Sequence, residues 1–301
     1  MFSITSKRSI FFAISGVVIL LGLLSLVTFG RLRLGIEFSS GSLMRISFGE
    51  EVAQEDLKDE LISLGYTNAI IQSTLGGDFY IRTETLSDDD KLLLKSSLEE
   101  RFGKLQETEF STVSPMIASE TARNAAIAVA VAAIGILLYV TWAFHRMPNP
   151  FRYGICAIIA LIHDTLVTLG IFSILASFLG WEVNLMFITG ILAVIGYSIN
   201  NTVVIFDRIR ENLAEGTSTD FEVVVNNSLI ETISRSLNTS LTTLIVVVAL
   251  LLFVGASILN FAVVLLIGII AGTYSSLFIA PLLLTTWERK WRGKSLTLTK
   301  T

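Results

Sequence analysis

Six stretches of this chain are each long and apolar enough to cross a bilayer, for which a helix needs about 20 mostly apolar residues. They run roughly over 10–29, 123–144, 151–175, 184–206, 237–255 and 259–284. Hydrocarbon offers no partners to backbone N–H and C=O groups, so six helices that satisfy their own backbones are expected. Composition agrees, since only 16% of residues are charged, against about 25% in a soluble domain. The first stretch, IFFAISGVVILLGLLSLVTF, is too long for a signal-peptide core and lacks a convincing cleavage site, so it is expected to be retained.

Lys and Arg in short loops orient such a bundle. Lys7 and Arg8 precede the first stretch, Arg146 and Arg152 flank the second turn, Arg208 and Arg210 follow the fourth stretch, and Arg289, Lys290, Arg292 and Lys294 follow the sixth. These four places share one side if both termini are cytoplasmic. The opposing turns, SFLGWEVN and GASILN, contain neither Lys nor Arg. Arg31 and Arg33 fall on the outer side, where they open a long polar segment in which the rule is weak.

That segment, 31–121, holds most of the charge. SLMRISF alternates as a strand does, and EDLKDELISLGY has helical periodicity, with Leu57, Leu61 and Leu64 on one face and Gly65 as a stop. TNAIIQSTL and DFYIRTE read as a hairpin around Gly76 and Gly77. SDDDKLLLKSSLEERFG offers Ser87 as an N-cap, acids in its first turn and Gly103 at its end, and LQETEFSTVSP supplies a last strand. The order β-α-β-β-α-β is the split βαβ, ferredoxin-like arrangement. The expected fold is a multi-pass α-helical membrane protein of six transmembrane helices with an inserted external α+β domain. Its divisions are 1–30 (N-terminus and first helix), 31–121 (external domain), 122–287 (five helices) and 288–301 (cytoplasmic tail).

Several classes of chemistry find no support. A formal net charge of −4 argues against nucleic acid as a partner. Cys156 is the single cysteine, and with two distant histidines it makes no zinc-ligand pattern. There is no nucleotide-binding fingerprint, P-loop or nucleophile elbow. No enzyme activity, metal or cofactor is expected.

Polar residues inside apolar helices are the candidates for function. His163 and Asp164 lie at the centre of the third stretch and fit either a proton-binding pair or an interhelical hydrogen bond. Neighbouring side chains on a helix point about 100° apart, so the two are expected to serve different helices. The fourth stretch reads GYSINNTVVIFDRIREN. It holds two amides, Asn200 and Asn201, in its middle, and ends in Asp207, Arg208, Arg210, Glu211 and Asn212. Helical spacing aligns Tyr197, Asn201, Ile205 and Arg208. The charged end fits a solvated helix terminus with Asp207–Arg210 and Arg208–Glu211 pairs, or a cytoplasmic latch. Arg235, at the start of the fifth stretch, fits a snorkelling interfacial cation or a fixed charge facing a crevice between the fourth and fifth helices. The loop 213–234, with FEVVVNNSLIETI, is amphipathic enough to lie at the interface.

Three of these motifs, in this order, resemble the SecF proteins of the SecD/SecF protein-export family. GIEFSSG resembles the GIDFTGG stretch after that family's first span. LIHDTLVTLGIFSIL resembles its third-span HD segment, and GYSINNTVVIFDRIREN resembles its fourth-span GYS-[LI]-N-D…DRIREN signature. The resemblance covers nearly the whole chain. It implies a fold of the resistance-nodulation-division transporter type, a SecD partner encoded as a separate chain, and work beside the SecYEG channel on exported proteins, driven by the proton-motive force. It also implies a place for Arg235 in the proton path. The family pattern has Asp where this chain has Asn201, and Glu37, Ser39 and Ser40 depart from GIDFTGG. Alternative readings are half of a proton-driven small-molecule or lipid exporter of the same fold, and a scaffold for the translocon.

Overall fold

The computed structural model describes residues 3–28, 32–73, 77–253 and 256–298. The helices and strands are, in order, α1 (Arg8–Thr28, after a 3-10 turn Thr5–Lys7), α2 (Ile36–Ser39), β1 (Gly41–Phe48), α3 (Gln54–Ser63), β2 (Ile70–Ser73), β3 (Phe79–Thr83), α4 (Asp88–Phe102) and β4 (Leu105–Val113). The remaining helices are α5 (Pro115–Ala143), α6 (Pro150–Leu179), α7 (Leu185–Ala214), α8 (Phe221–Phe253), α9 (Ala256–Phe278) and α10 (Ala280–Leu298). Two compact units result: residues 33–127 with 182–185, and the rest of the chain.

In the α+β unit the strands pair antiparallel in the order β2-β3-β1-β4. Strand alternation turns Met44 and Ile46 of β1 and Phe79 and Ile81 of β3 to the face covered by Leu57, Leu61, Leu94 and Leu98 of the two helices. Each fully buried leucine of this kind is worth about 1.5–3 kcal/mol relative to exposure. Ser87 caps α4 as its sequence suggests: its Oγ accepts from the Asp90 amide at 3.2 Å, and the Asp90 carboxylate accepts from the Ser87 amide at 3.3 Å. Leu64 does not join Leu57 and Leu61, because α3 ends at Ser63 and Leu64 sits in its C-cap, exposed. Of the hairpin glycines, Gly77 has φ 84°, a conformation that glycine adopts without strain; Gly76 lies outside the described residues, as does Arg31.

The other unit is the helix bundle. Among the described residues, six helices are long and apolar enough to cross a membrane: Thr5–Thr28, Pro115–Ala143, Pro150–Leu179, Leu185–Ala214, Phe221–Phe253 and Ile258–Arg289. Those containing α6, α7 and α9–α10 are the most buried, and α1, α5 and α8 are peripheral. Small residues permit close approach. A Cβ added to Gly22 of α1 would lie 2.7 Å from the Cα of Gly170 of α6, and the reverse holds. A ring cluster of Phe144, Tyr153 and Phe206 fills one end, with Phe144 and Tyr153 stacked at 5.3 Å and Phe206 edge-on to both.

Two features differ from the sequence reading. First, the segment expected to lie at the interface is the beginning of α8, which runs unbroken from Phe221. Its apolar face, Phe221, Val225 and Leu229, is buried in one hydrophobic cluster with Ile205, Phe206 and Ile209 of α7 and Leu282 and Leu284 of α10. Second, the sixth span breaks at Ile279, between α9 and α10. Pro281 follows, and proline has no N–H to continue a helical ladder.

Candidate intramembrane polar site

The centre of α6 carries a buried hydrogen-bonded chain across three helices. His163 Nδ1 lies 3.0 Å from Asp164 Oδ1, and His163 Nε2 lies 3.0 Å from Ser15 Oγ of α1. Ser198 of α7 donates to Asp164 Oδ2 at 2.5 Å. Asp164 and Ser198 are essentially inaccessible, and His163 is buried. His163 and Asp164 do reach different helices, α1 and α7, but they also bond each other, a contact the 100° argument did not anticipate. The donors are constrained. An ionised Asp164 can only accept, so Ser198 and the Nδ1 proton both point to it. His163 Nε2 then accepts from Ser15 when neutral and donates to it when protonated. The chain can therefore hold a proton on either side chain without losing a hydrogen bond.

One turn beyond Ser198, the two amides part. Asn201 is buried, and its Nδ2 has no hydrogen-bond partner among the described residues, whereas Asn200 is exposed. Tyr197 Oη donates to Ser240 Oγ of α8 at 2.8 Å. Thr273 Oγ1 of α9 lies 2.6 Å from both Ser240 Oγ and the Ile269 carbonyl oxygen. A hydroxyl has one proton to give. With that of Thr273 on the carbonyl, Ser240 supplies the proton to Thr273 while accepting that of Tyr197. Ser240 belongs to the polar stripe SLNTSLTT of the fifth stretch, whereas Ser15, Ser198 and Thr273 are members of the network that sequence reading did not single out. Ser15 sits among apolar neighbours and Thr273 in the stretch AGTYSS, with no motif to mark either; Ser198 was legible one turn before Asn201 or Thr202.

Arg235 does not meet Asn201. Counting five residues from the Tyr197–Ser240 contact brings Arg235 level with Thr202, but Ser236, not Arg235, belongs to the buried stripe of α8. Arg235 is exposed, and its side chain makes no hydrogen bond or ion pair among the described residues. Asn238, Thr239 and Thr242 share its exposed face, and the threonine hydroxyls turn back on their own helix: Thr239 to the Arg235 carbonyl at 3.0 Å, Thr242 to the Thr239 carbonyl at 2.9 Å.

The end of α7 is a latch to α8. Asp207 pairs with Arg210 at 2.6 Å and Arg208 with Glu211 at 2.7 Å, along one helix as spaced. Arg208 Nε also reaches Glu231 of α8 at 2.6 Å. Asn212 Nδ2 donates to Ser228 Oγ and to Glu231, both at 2.9 Å. Ser228 and Glu231 were missed because they lie where an amphipathic loop at the membrane interface was expected. Elsewhere in the bundle Arg8 and Arg289 both face Glu222, at 3.3 and 4.0 Å, and Arg152 pairs with Glu288 at 2.6 Å. The side chains of Lys290, Arg292 and Lys294 lie outside the described residues.

This architecture has relatives. The family described as "Protein export membrane protein SecD/SecF, C-terminal" matches residues 93–290. The chain is 41% identical to protein translocase subunit SecF of Thermobaculum terrenum, with 96% of this chain and 95% of the relative covered. It is 38% identical to protein translocase subunit SecDF of Bacillus subtilis, covering 94% of this chain and 38% of that one. The crystal structure of SecDF from Thermus thermophilus, described as a translocon-associated membrane protein, superposes with a TM-score of 0.84 at 31% identity, over 96% of this chain and 39% of that chain. The chain thus spans about two-fifths of the SecDF proteins and nearly all of the SecF ones. It belongs to the SecD/SecF family of protein-export membrane proteins.

Proposed function

We propose that this chain is a SecF-type accessory subunit of protein export that acts with a SecD-type partner beside the SecYEG channel. One observation carries the partner: Arg235, with Asn200 on the neighbouring helix, presents polar and charged groups outward from membrane-spanning helices. Such groups do not face lipid unpaired. The counter-charge is a carboxylate on the partner, whose helices cover this face of α7 and α8. Relatives in which both halves form one SecDF chain fit that pairing.

In this reading the chain sits in the cell membrane with both termini cytoplasmic. The basic residues Arg8, Arg152, Arg208 and Arg289 lie on that side, and the α+β unit lies outside, where it meets exported proteins. Its work draws on energy from the proton gradient rather than on a reaction catalysed by the chain itself. Asn201 cannot carry a proton; Asp164 with His163 holds the titratable site of this half.

Secretion into membrane vesicles, with and without an imposed proton gradient, tests this. Arg235→Ala should abolish gradient stimulation while leaving the protein inserted and bound to SecD. Arg235→Lys should restore only part, because an ammonium lacks the guanidinium's planar fork. Asn201→Asp should be tolerated. Equal stimulation in wild type and Arg235→Ala would reduce Arg235 to an interfacial anchor.

A further inference from the structure

The turn between α6 and α7 belongs to the α+β unit. α6 ends at Leu179 and α7 begins at Leu185, yet residues 182–185 group with residues 33–127. Val183 forms a parallel bridge with Leu34. Its N–H donates to the Arg33 carbonyl at 2.8 Å, and its carbonyl accepts from Gly35 N–H at 2.9 Å. Gly35 has no room for a side chain: a Cβ there would lie 3.1 Å from Asn184 Cβ and would strike the Glu37 carboxylate.

Arg82, on β3, gathers the parts. Its Nη1 donates to the Leu34 carbonyl at 2.6 Å and to Glu182 at 3.1 Å, and its Nη2 donates to Ser39 Oγ. Arg82 and Glu182 are both largely buried. One guanidinium thus bonds the receptor loop at two places and the incoming turn at a third, which the planar fork of arginine permits and an ammonium does not.

We propose that Glu182–Leu185 is a strap by which α6 and α7 hold the α+β unit, and that Arg82 is the positioning residue that closes its receptor, residues 33–39. The strap is continuous with the helices bearing Asp164 and Ser198, and Ser198 lies 13 residues along α7 from Leu185, about 20 Å at 1.5 Å per residue. A displacement of α7 along its axis is delivered to β3 through Glu182 and Arg82. Delivery of work to exported chains by this route rests on the proposed function; the strap itself does not.

Hydrogen exchange of the purified full chain tests the strap directly. The Gly35 and Val183 amides should be protected in wild type. Arg82→Ala should speed their exchange at least tenfold, with β1 amides unchanged, and the charge-reversed pair Arg82→Glu/Glu182→Arg should recover part of the protection. If Arg82→Ala also opens β1, Glu182→Ala gives the same reading with the sheet's own arginine in place. Unprotected amides in wild type, or unaltered exchange in both variants, would overturn the proposal. A secretion assay on the same variants separates the strap from its use. Loss of secretion with SecD still bound, recovered by the reversed pair, supports transmission. Full secretion despite lost protection refutes transmission and leaves only a tether. Neither outcome depends on Arg235.

Discussion

Ser198 Oγ lies 2.5 Å from Asp164 Oδ2, so a hydroxyl of α7 is the interhelical partner of the buried carboxylate of α6. Removing it leaves that carboxylate short of a donor. Ser198→Ala should cost about 1–3 kcal/mol, read as a lowered thermal midpoint in detergent. Asp164→Asn should keep the protein folded, since an amide can still accept from Ser198, but should remove gradient-stimulated secretion. Stimulation equal to wild type in Asp164→Asn would make the pair a helix brace and nothing more.

The contact of Gly22 with Gly170 sets a second expectation. Gly170→Leu should destabilise the bundle by about 1–3 kcal/mol through overpacking, because the atom it meets is backbone and cannot swing aside. Gly16→Leu, on the same helix as Gly22 with nothing within 4 Å of a new Cβ, should be near neutral. Similar midpoints for the two variants would mean that α1 moves away from α6 at little cost.

At the latch, Glu231 accepts from both Arg208 and Asn212. Glu231→Ala should therefore cost more than Arg208→Ala. The half-exposed ion pair contributes only about 0.2–1 kcal/mol, whereas buried Asn212 loses an acceptor as well. A double-mutant cycle in urea measures the difference, and equal costs would mean that Asn212 is satisfied by Ser228 alone.

Strap docking should depend on pH. Burial holds the Glu182 carboxyl above the usual carboxylate range, with Glu37 adding to the rise; Arg82 and, more weakly, Arg33 oppose it. The docked strap binds this proton more tightly than the undocked one. Docking is then strongest below the ordinary carboxylate value and weakens as pH rises through the raised one. Glu182→Gln, which still accepts from Arg82, should flatten the profile of Val183 amide exchange. Asp90 provides the opposite sign within the same unit: its hydrogen bonds with Ser87 hold its carboxyl low. Its stabilising effect is present above the ordinary Asp value and lost as pH falls through the lowered one.

Local chemistry made much of this legible. The alternation of Met44 and Ile46, the Ser87 cap and the i,i+3 spacing of Asp207 with Arg210 are short-range patterns, and each appears in the fold as spaced. The start of α8 was hidden because Asn226, Asn227, Glu231 and Arg235 lower its hydropathy, although its apolar stripe is buried in the bundle core. The strap left little mark, since its bridge is made by backbone atoms of Arg33, Gly35 and Val183, and only Gly35, with no room for a side chain, constrains the sequence. Asn200 and Asn201 had to point to different sides, but which one turned inward was decided by the neighbouring helices.

The sixth span has a consequence for the order of synthesis. Its Gly268 and Gly272 fit against Val194 and Ser198, and Val264 fits against Gly190. Ile279, Ala280 and Leu282 enclose its proline break in the buried core. In lipid alone, the carbonyl left without a donor by Pro281 would be costly. The sixth span is thus poorly suited to wait in the bilayer by itself, and it follows α6 and α7 in the chain. It finds α6 and α7 already inserted, and a chain cut short before it leaves an open groove along α7 where Val264, Gly268 and Gly272 would sit.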